Sequence, residues 1–245
     1  MKILHKPRTE TTMPSPSTRS PVGLRVLAAI AVVATATSAP AMAIEAFSAD
    51  YQASAMGMQG DGQMTIASQG DDRWQYSLSV KNALVDLSQK TVFDEKDGML
   101  RPLSSSDVSR LLVKKKSVDA DFDWAKKQAT WSGDVKPDRA GPVALQPGDL
   151  DALLVNLAMV RDVAAGKPLN YRLIENGKAR PMAYKIAGKE DITIGGTARE
   201  ATKVVRTSGD KETIAWIVPG MPVPARILQR EGGQDSIDLQ LKSWR

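Results

Sequence analysis

The feature that most constrains this chain is period-two alternation, repeated from one end to the other. In "RWQYSLSVK", Trp74, Tyr76, Leu78 and Val80 share one face, while Arg73, Gln75, Ser77, Ser79 and Lys81 share the other. That is an antiparallel strand with one buried and one wet side. Met64 and Ile66 of "GQMTIAS" precede it across Gly70, Asp71 and Asp72, which predicts a hairpin. "VDADFDW" places Val118, Ala120, Phe122 and Trp124 opposite Asp119, Asp121 and Asp123, and Lys126 and Lys127 turn the chain back toward Trp131.

The second half continues the pattern. Asn176 and Gly177 are a hairpin signal between "LNYRLIE" and "MAYKIAG"; Gly195 and Gly196 separate "DITI" from "EATKVVRTS"; Gly209 and Asp210 turn the chain into "ETIAWIV". The terminal "SIDLQLKSW" alternates Ile237, Leu239 and Leu241 against Asp238, Gln240 and Lys242. About ten strands are expected on this count. Ser104 to Ser106 read as loop, and Gly57 to Gly62 as strand glycines, since no Lys followed by Ser or Thr completes a phosphate loop.

One segment has the helical period instead. "DLDALLVNLAMVRDVAAG" spaces Leu150, Leu153, Leu154, Leu157 and Ala164 for one amphipathic helix of about four turns, packed on the sheet, with Asp149 as N-cap and Gly166 as stop. Pro219, Pro222 and Pro224 interrupt a further strand-like stretch. Proline has no N–H to give a ladder, so Pro222 and Pro224, two apart, predict an edge strand that cannot recruit another.

Residues 1–43 read as a secretory leader. Lys2, Lys6, Arg8, Arg19 and Arg25 precede the apolar run from Val26 to Ala39, and Ala41 and Ala43 form the small-residue cleavage signal, so the mature chain is expected to begin at Ile44. The run is too short for a comfortable span of roughly 20 residues, and no second apolar segment predicts a transmembrane helix. The expected location is the periplasm, with residues 44–245 as a single domain.

Setting the leader aside changes the charge balance. Of 33 Lys and Arg against 28 Asp and Glu, 28 and 27 remain. The basicity of a nucleic-acid binder is therefore missing. The one histidine, His5, lies in the leader, and there is no cysteine. A Ser-His-Asp triad, a Cys nucleophile and thiolate or imidazole metal sites are thereby excluded, so no catalytic residue, metal or cofactor is expected. Asp121 and Asp123 read as the polar face of a strand, not as an acid–base pair. Lys114, Lys115 and Lys116 read as a solvated strand that resists aggregation, with anionic lipid or glycan as the sharper alternative.

Several stretches, in order, resemble one family. They are "FSADYQASAMGMQGDG" from Phe47, "DGMLRP" ending at Pro102, "DADFDW" ending at Trp124, "LQPGDLDAL" before the helix, "NGKARPMAYKIAGKEDITIGG" ending at Gly196, and "VPARI" from Val223 to Ile227. Together they are similar to DUF3108, a family of exported bacterial proteins of unknown function. Val223 and Ala225 stand where that family more usually has Leu and Val. The resemblance implies a mainly β envelope protein with a curved antiparallel sheet or half-open barrel, akin to half-barrels that carry lipoproteins or lipids. It transfers no catalytic residues.

Two function classes follow. A carrier would hold a lipid or other apolar ligand in a groove of the curved sheet, lined by Trp74, Tyr76, Phe122, Trp124 and Trp216; for any one of these aromatics ordinary core packing is the more common role. An interaction protein of the envelope, monomeric in itself, would use its sheet edge instead. A carboxylate-dependent hydrolase is the third reading.

Overall fold

The computed structural model describes residues 44–55 and 57–245; the expected leader, ending at Ala43, lies outside them. In chain order the first strands are β1 (Phe47–Ala55), β2 (Met58–Gly70), β3 (Arg73–Lys81), β4 (Val85–Lys96), β5 (Met99–Leu111), β6 (Lys114–Asp123) and β7 (Gln128–Gly133). Two short strands, β8 (Val143–Ala144) and β9 (Asp149–Leu150), lead into the helix α1 (Ala152–Ala164). After it come β10 (Asn170–Glu175), β11 (Lys178–Ala183), β12 (Lys185–Ile194), β13 (Thr197–Ser208), β14 (Lys211–Ile217), β15 (Arg226–Glu231) and β16 (Gln234–Trp244). Among the described residues there are 16 strands where about ten were expected.

Thirteen strands form one antiparallel sheet in the order β12-β13-β14-β15-β16-β1-β2-β3-β4-β5-β6-β7-β8. It does not close, so β12 and β8 are its two ends. Ala49 and Tyr51 of β1, Tyr76 of β3, Phe93 of β4 and Val204 of β13 share one buried cluster with the leucines of α1, so the sheet curls around the helix. A second cluster gathers Val118, Phe122, Ala129, Trp131 and Ile174 at the β6–β7 end. No helix is long and apolar enough to cross a membrane among the described residues.

A small sheet, β11-β10-β9, packs beside α1, which touches β9 and β10 as well as β3, β4 and β5. This explains why Leu153, Leu154, Val155, Leu157, Met159 and Val160 are all buried, more than one amphipathic stripe would supply. The expected N-cap is corrected by two residues. Asp151 caps the helix by accepting from the Leu154 amide at 2.9 Å, while Asp149 lies in β9 and accepts from the Gln146 amide at 2.7 Å and from Arg172 at 2.5 Å. Gly166 does end the helix, at φ +64, a left-handed turn that favours glycine.

Three further expectations change. Ser104 to Ser106 are not loop but the middle of β5. "MAYKIAG" is not one strand: it passes from β11 in the small sheet to β12 in the large one, with Tyr184 between them donating its amide to Leu169 O at 2.9 Å. Pro222 and Pro224 do not mark an edge, because β15 lies between β14 and β16 in the sheet interior. They occupy the loop that joins β14 to β15, where no ladder donor is needed. The loop is still tied down, since the buried Tyr51 hydroxyl donates to Pro224 O at 2.8 Å. Tyr51→Phe leaves that carbonyl buried without its partner, and urea unfolding is expected to show a loss of about 1–2 kcal/mol.

Candidate functional site

The inner face of the sheet is not uniformly apolar. Along β4 and β5 the cross-strand pairs Gln89 with Asp107 and Thr91 with Ser105 place four polar side chains under the N-terminus of α1. Asp151 meets them there, accepting from the Thr91 hydroxyl as well as from the Leu154 amide. Glu175, at the end of β10, completes the ring around a cavity of about 20 Å³. That volume suits a single water and excludes a sugar ring or peptide.

Burial pushes the Asp151 carboxyl up to about 6; the Thr91 and Leu154 bonds pull it back in part, and the nearby Asp107 and Glu175 add to the rise. Asp107 is likewise raised by burial, with Gln89 opposing. The cluster is accounted for as a cap and its supports. By contrast, Asp123 is held below the usual range by its bonds to Lys126, as a solvent-facing strand residue.

A larger space opens farther along the helix. A cleft of about 380 Å³ lies between α1 and the strands near both ends of the described chain. Phe47, Ile66, Leu157 and Val160 give it an apolar wall; Arg161, Arg245 and Glu45 contribute charge, and Pro222 also reaches it. Arg161 is paired with Glu95 at 2.9 Å, and Arg245 lies 3.4 Å from Asp50.

The five aromatics singled out from the sequence are divided. Tyr76 is fully buried, its hydroxyl donating to Met64 Sδ at 3.3 Å, and half-buried Trp74 packs in the same cluster. Phe122 is buried edge-on against Trp131, at 6.4 Å between ring centroids. Trp124 packs against that second cluster and donates to Pro102 O at 2.7 Å. Trp216 lies between two cations, Arg226 at 4.7 Å and Lys203 at 5.4 Å from its centroid, and donates to Glu190. The cleft wall is built from other side chains, and in sequence only the ordinary apolar character of Phe47, Leu157 and Val160 pointed to it.

The family described as "protein of unknown function (DUF3108)" matches residues 47–238. The chain belongs to the DUF3108 family. No curated protein matches it in sequence. Among solved structures, a β-barrel-like protein of the DUF1849 domain of unknown function from Brucella abortus is 10% identical, with a TM-score of 0.45 over 81% of this chain and 96% of its own. MucB in complex with MucA(peri) is 12% identical, with a TM-score of 0.35 over 82% of this chain and 49% of its own. The MucA/MucB complex of Pseudomonas aeruginosa gives 11% identity and a TM-score of 0.36, over 82% and 51%. This DUF3108 chain thus spans about half the length of the MucB chains. Among its described residues no three His, Cys, Asp or Glu side chains are grouped to hold a metal.

Proposed function

We propose that the chain is an exported, non-catalytic protein of the periplasm that holds one small lipophilic ligand between the curved sheet and α1. The observation that carries this reading is the cleft of about 380 Å³. Its size falls in the range of roughly 300–1,000 Å³ usual for ligand sites, and its wall is apolar with a few charges at hand, as such sites require. Tyr76 is the cross-strand partner of Ile66, and Trp74 packs in the same hydrophobic cluster as Phe47 and Ile66. Export rests on the leader; N-terminal sequencing of the envelope fraction is expected to begin at Ile44, and an intact leader would refute it.

The edge-binding alternative is less well supported. β12 pairs only with β13 among the described residues, but it carries Lys185, Lys189, Glu190 and Asp191 and an irregularity at Gly188. Charges and bulges of this kind discourage strand addition. The hydrolase reading has its carboxylates around a space of water size only.

A medium-chain fluorescent fatty acid tests the carrier. The parent is expected to bind it at micromolar concentrations. Phe47→Glu, at a half-buried wall position, introduces a carboxylate against both the apolar tail and the anionic head, and is expected to weaken binding at least tenfold. Phe47→Leu retains it. With circular dichroism unchanged, equal binding by all three proteins would place the ligand elsewhere, and no binding by the parent would remove the proposal.

A further inference from the structure

The β5–β6 hairpin is the one two-residue turn among the paired strands with no Gly, Asn or Asp in it. Six of the seven other two-residue turns between paired strands are Asp71–Asp72, Asp97–Gly98, Asn176–Gly177, Gly195–Gly196, Gly209–Asp210 and Gly232–Gly233, and the seventh, between Ala55 and Met58, has one glycine, Gly57. The first six are built from Gly, Asn and Asp alone, as tight hairpins favour. Where Leu111 pairs with Lys114, the turn is Leu112–Val113. Leu112 is held at φ +54, where a bulky side chain is disfavoured.

The same two side chains are also the wrong ones for water. Val113 is 99% exposed, Leu112 63% and Leu111 46%, three consecutive apolar residues at the apex of two long strands. Among the described residues nothing covers Val113. The Leu112 amide donates to Leu84 O at 2.9 Å, which fixes the tip against the β3–β4 loop and holds it in place. A residue choice that opposes both turn geometry and solvation is the kind of local conflict that marks a functional site.

Cations ring the apex. Arg110, Lys114, Lys115 and Lys116 are all exposed, and Arg110 sits directly opposite Lys115 across the ladder, a like-charge pair that costs stability. Asp86 is the other cross-strand neighbour of Arg110, and the exposed Lys81 lies 3.6 Å from Asp86. No ion pair neutralises Arg110, Lys114 or Lys115 among the described residues. We propose that the Leu111–Lys116 tip is a membrane finger, whose Leu and Val side chains insert into the interface of an anionic bilayer while the lysines and Arg110 meet its headgroups. Apolar side chains flanked by Lys and Arg are what the boundary between acyl chains and anionic headgroups accepts. A folded protein partner fits less well, because three side chains cover far less than the roughly 800 Å² per partner of a stable interface. The finger is separate from the cleft and stands or falls without it.

Flotation of the full chain with vesicles of phosphatidylglycerol and phosphatidylcholine tests the finger. The parent is expected to float with mixed vesicles, less with phosphatidylcholine alone, and less in 0.5 M salt, as screening requires. The variant carrying Leu112→Asn and Val113→Gly restores a favoured hairpin turn; it is expected to melt at a higher temperature and to lose at least tenfold in vesicle affinity. Lys114→Gln, Lys115→Gln and Lys116→Gln together are expected to abolish the preference for phosphatidylglycerol. Any contribution of residues 1–43 is common to all three proteins and cancels in the comparison. Equal flotation of the parent and the Asn-Gly variant would overturn the proposal. So would a parent that ignores vesicles while its tip cross-links to an envelope protein.

Discussion

Replacing Leu154 with alanine lowers the unfolding free energy by about 3–5 kcal/mol, the upper part of the range for a leucine cut back in a packed core. Leu154 is fully buried. It stands in the first turn of a helix that packs on strands of both sheets, so ordered neighbours surround the space it leaves. For a domain of this size the loss corresponds to a fall in Tm of roughly 6–20 °C. Chemical denaturation of parent and variant checks it. A cost below about 1 kcal/mol would mean that the helix is not firmly packed on the two sheets, and the walls that Leu157 and Val160 give the cleft would lose their support.

The parts of this fold that were legible in the sequence are those governed by local chemistry. Asn176–Gly177, Gly195–Gly196 and Gly209–Asp210 form the predicted turns because few other residues adopt positive φ cheaply. Gly60 and Gly62 are strand residues for a related reason: a Cβ on Gly60 would stand 2.2 Å from Lys81 O. What was illegible depends on neighbours far away in sequence. β5 hid behind Ser104–Ser106 because its inner face is polar, and that polarity makes sense only beside Asp151, which arrives with the helix. The prolines were misplaced for a similar reason. A missing N–H reports only that no ladder bond is made, which a loop between two interior strands satisfies as well as an edge does. The aromatics gave least, since Tyr76, Phe122 and Trp216 bury their rings in ways that alternation alone does not distinguish from a groove.

Asp151 leads to the second large effect, one that depends on pH. Its carboxyl titrates at about 6 in the folded protein, chiefly because burial disfavours the charged form, and near 3.8 when the chain is unfolded. Between those values the folded state holds a proton that the unfolded state has released. Stability from this group is therefore fully present below about 3.8 and is lost as pH rises through about 6. Above that, the buried charge costs about 3 kcal/mol relative to a neutral group, at about 1.36 kcal/mol per pH unit. Asparagine has nearly the same shape, caps helices well and never ionises. Asp151→Asn is expected to exceed the parent in stability by about 1–3 kcal/mol at pH 7.5, with the advantage fading as the pH is lowered to 4.5. Urea unfolding of both proteins at pH 4.5, 6 and 7.5 measures the difference, and the other carboxylates cancel in it. A difference that stays constant across the three pH values would show that Asp151 does not titrate in this window, and the polar ring of Gln89, Thr91 and Asp107 would then be stabilising its charged form.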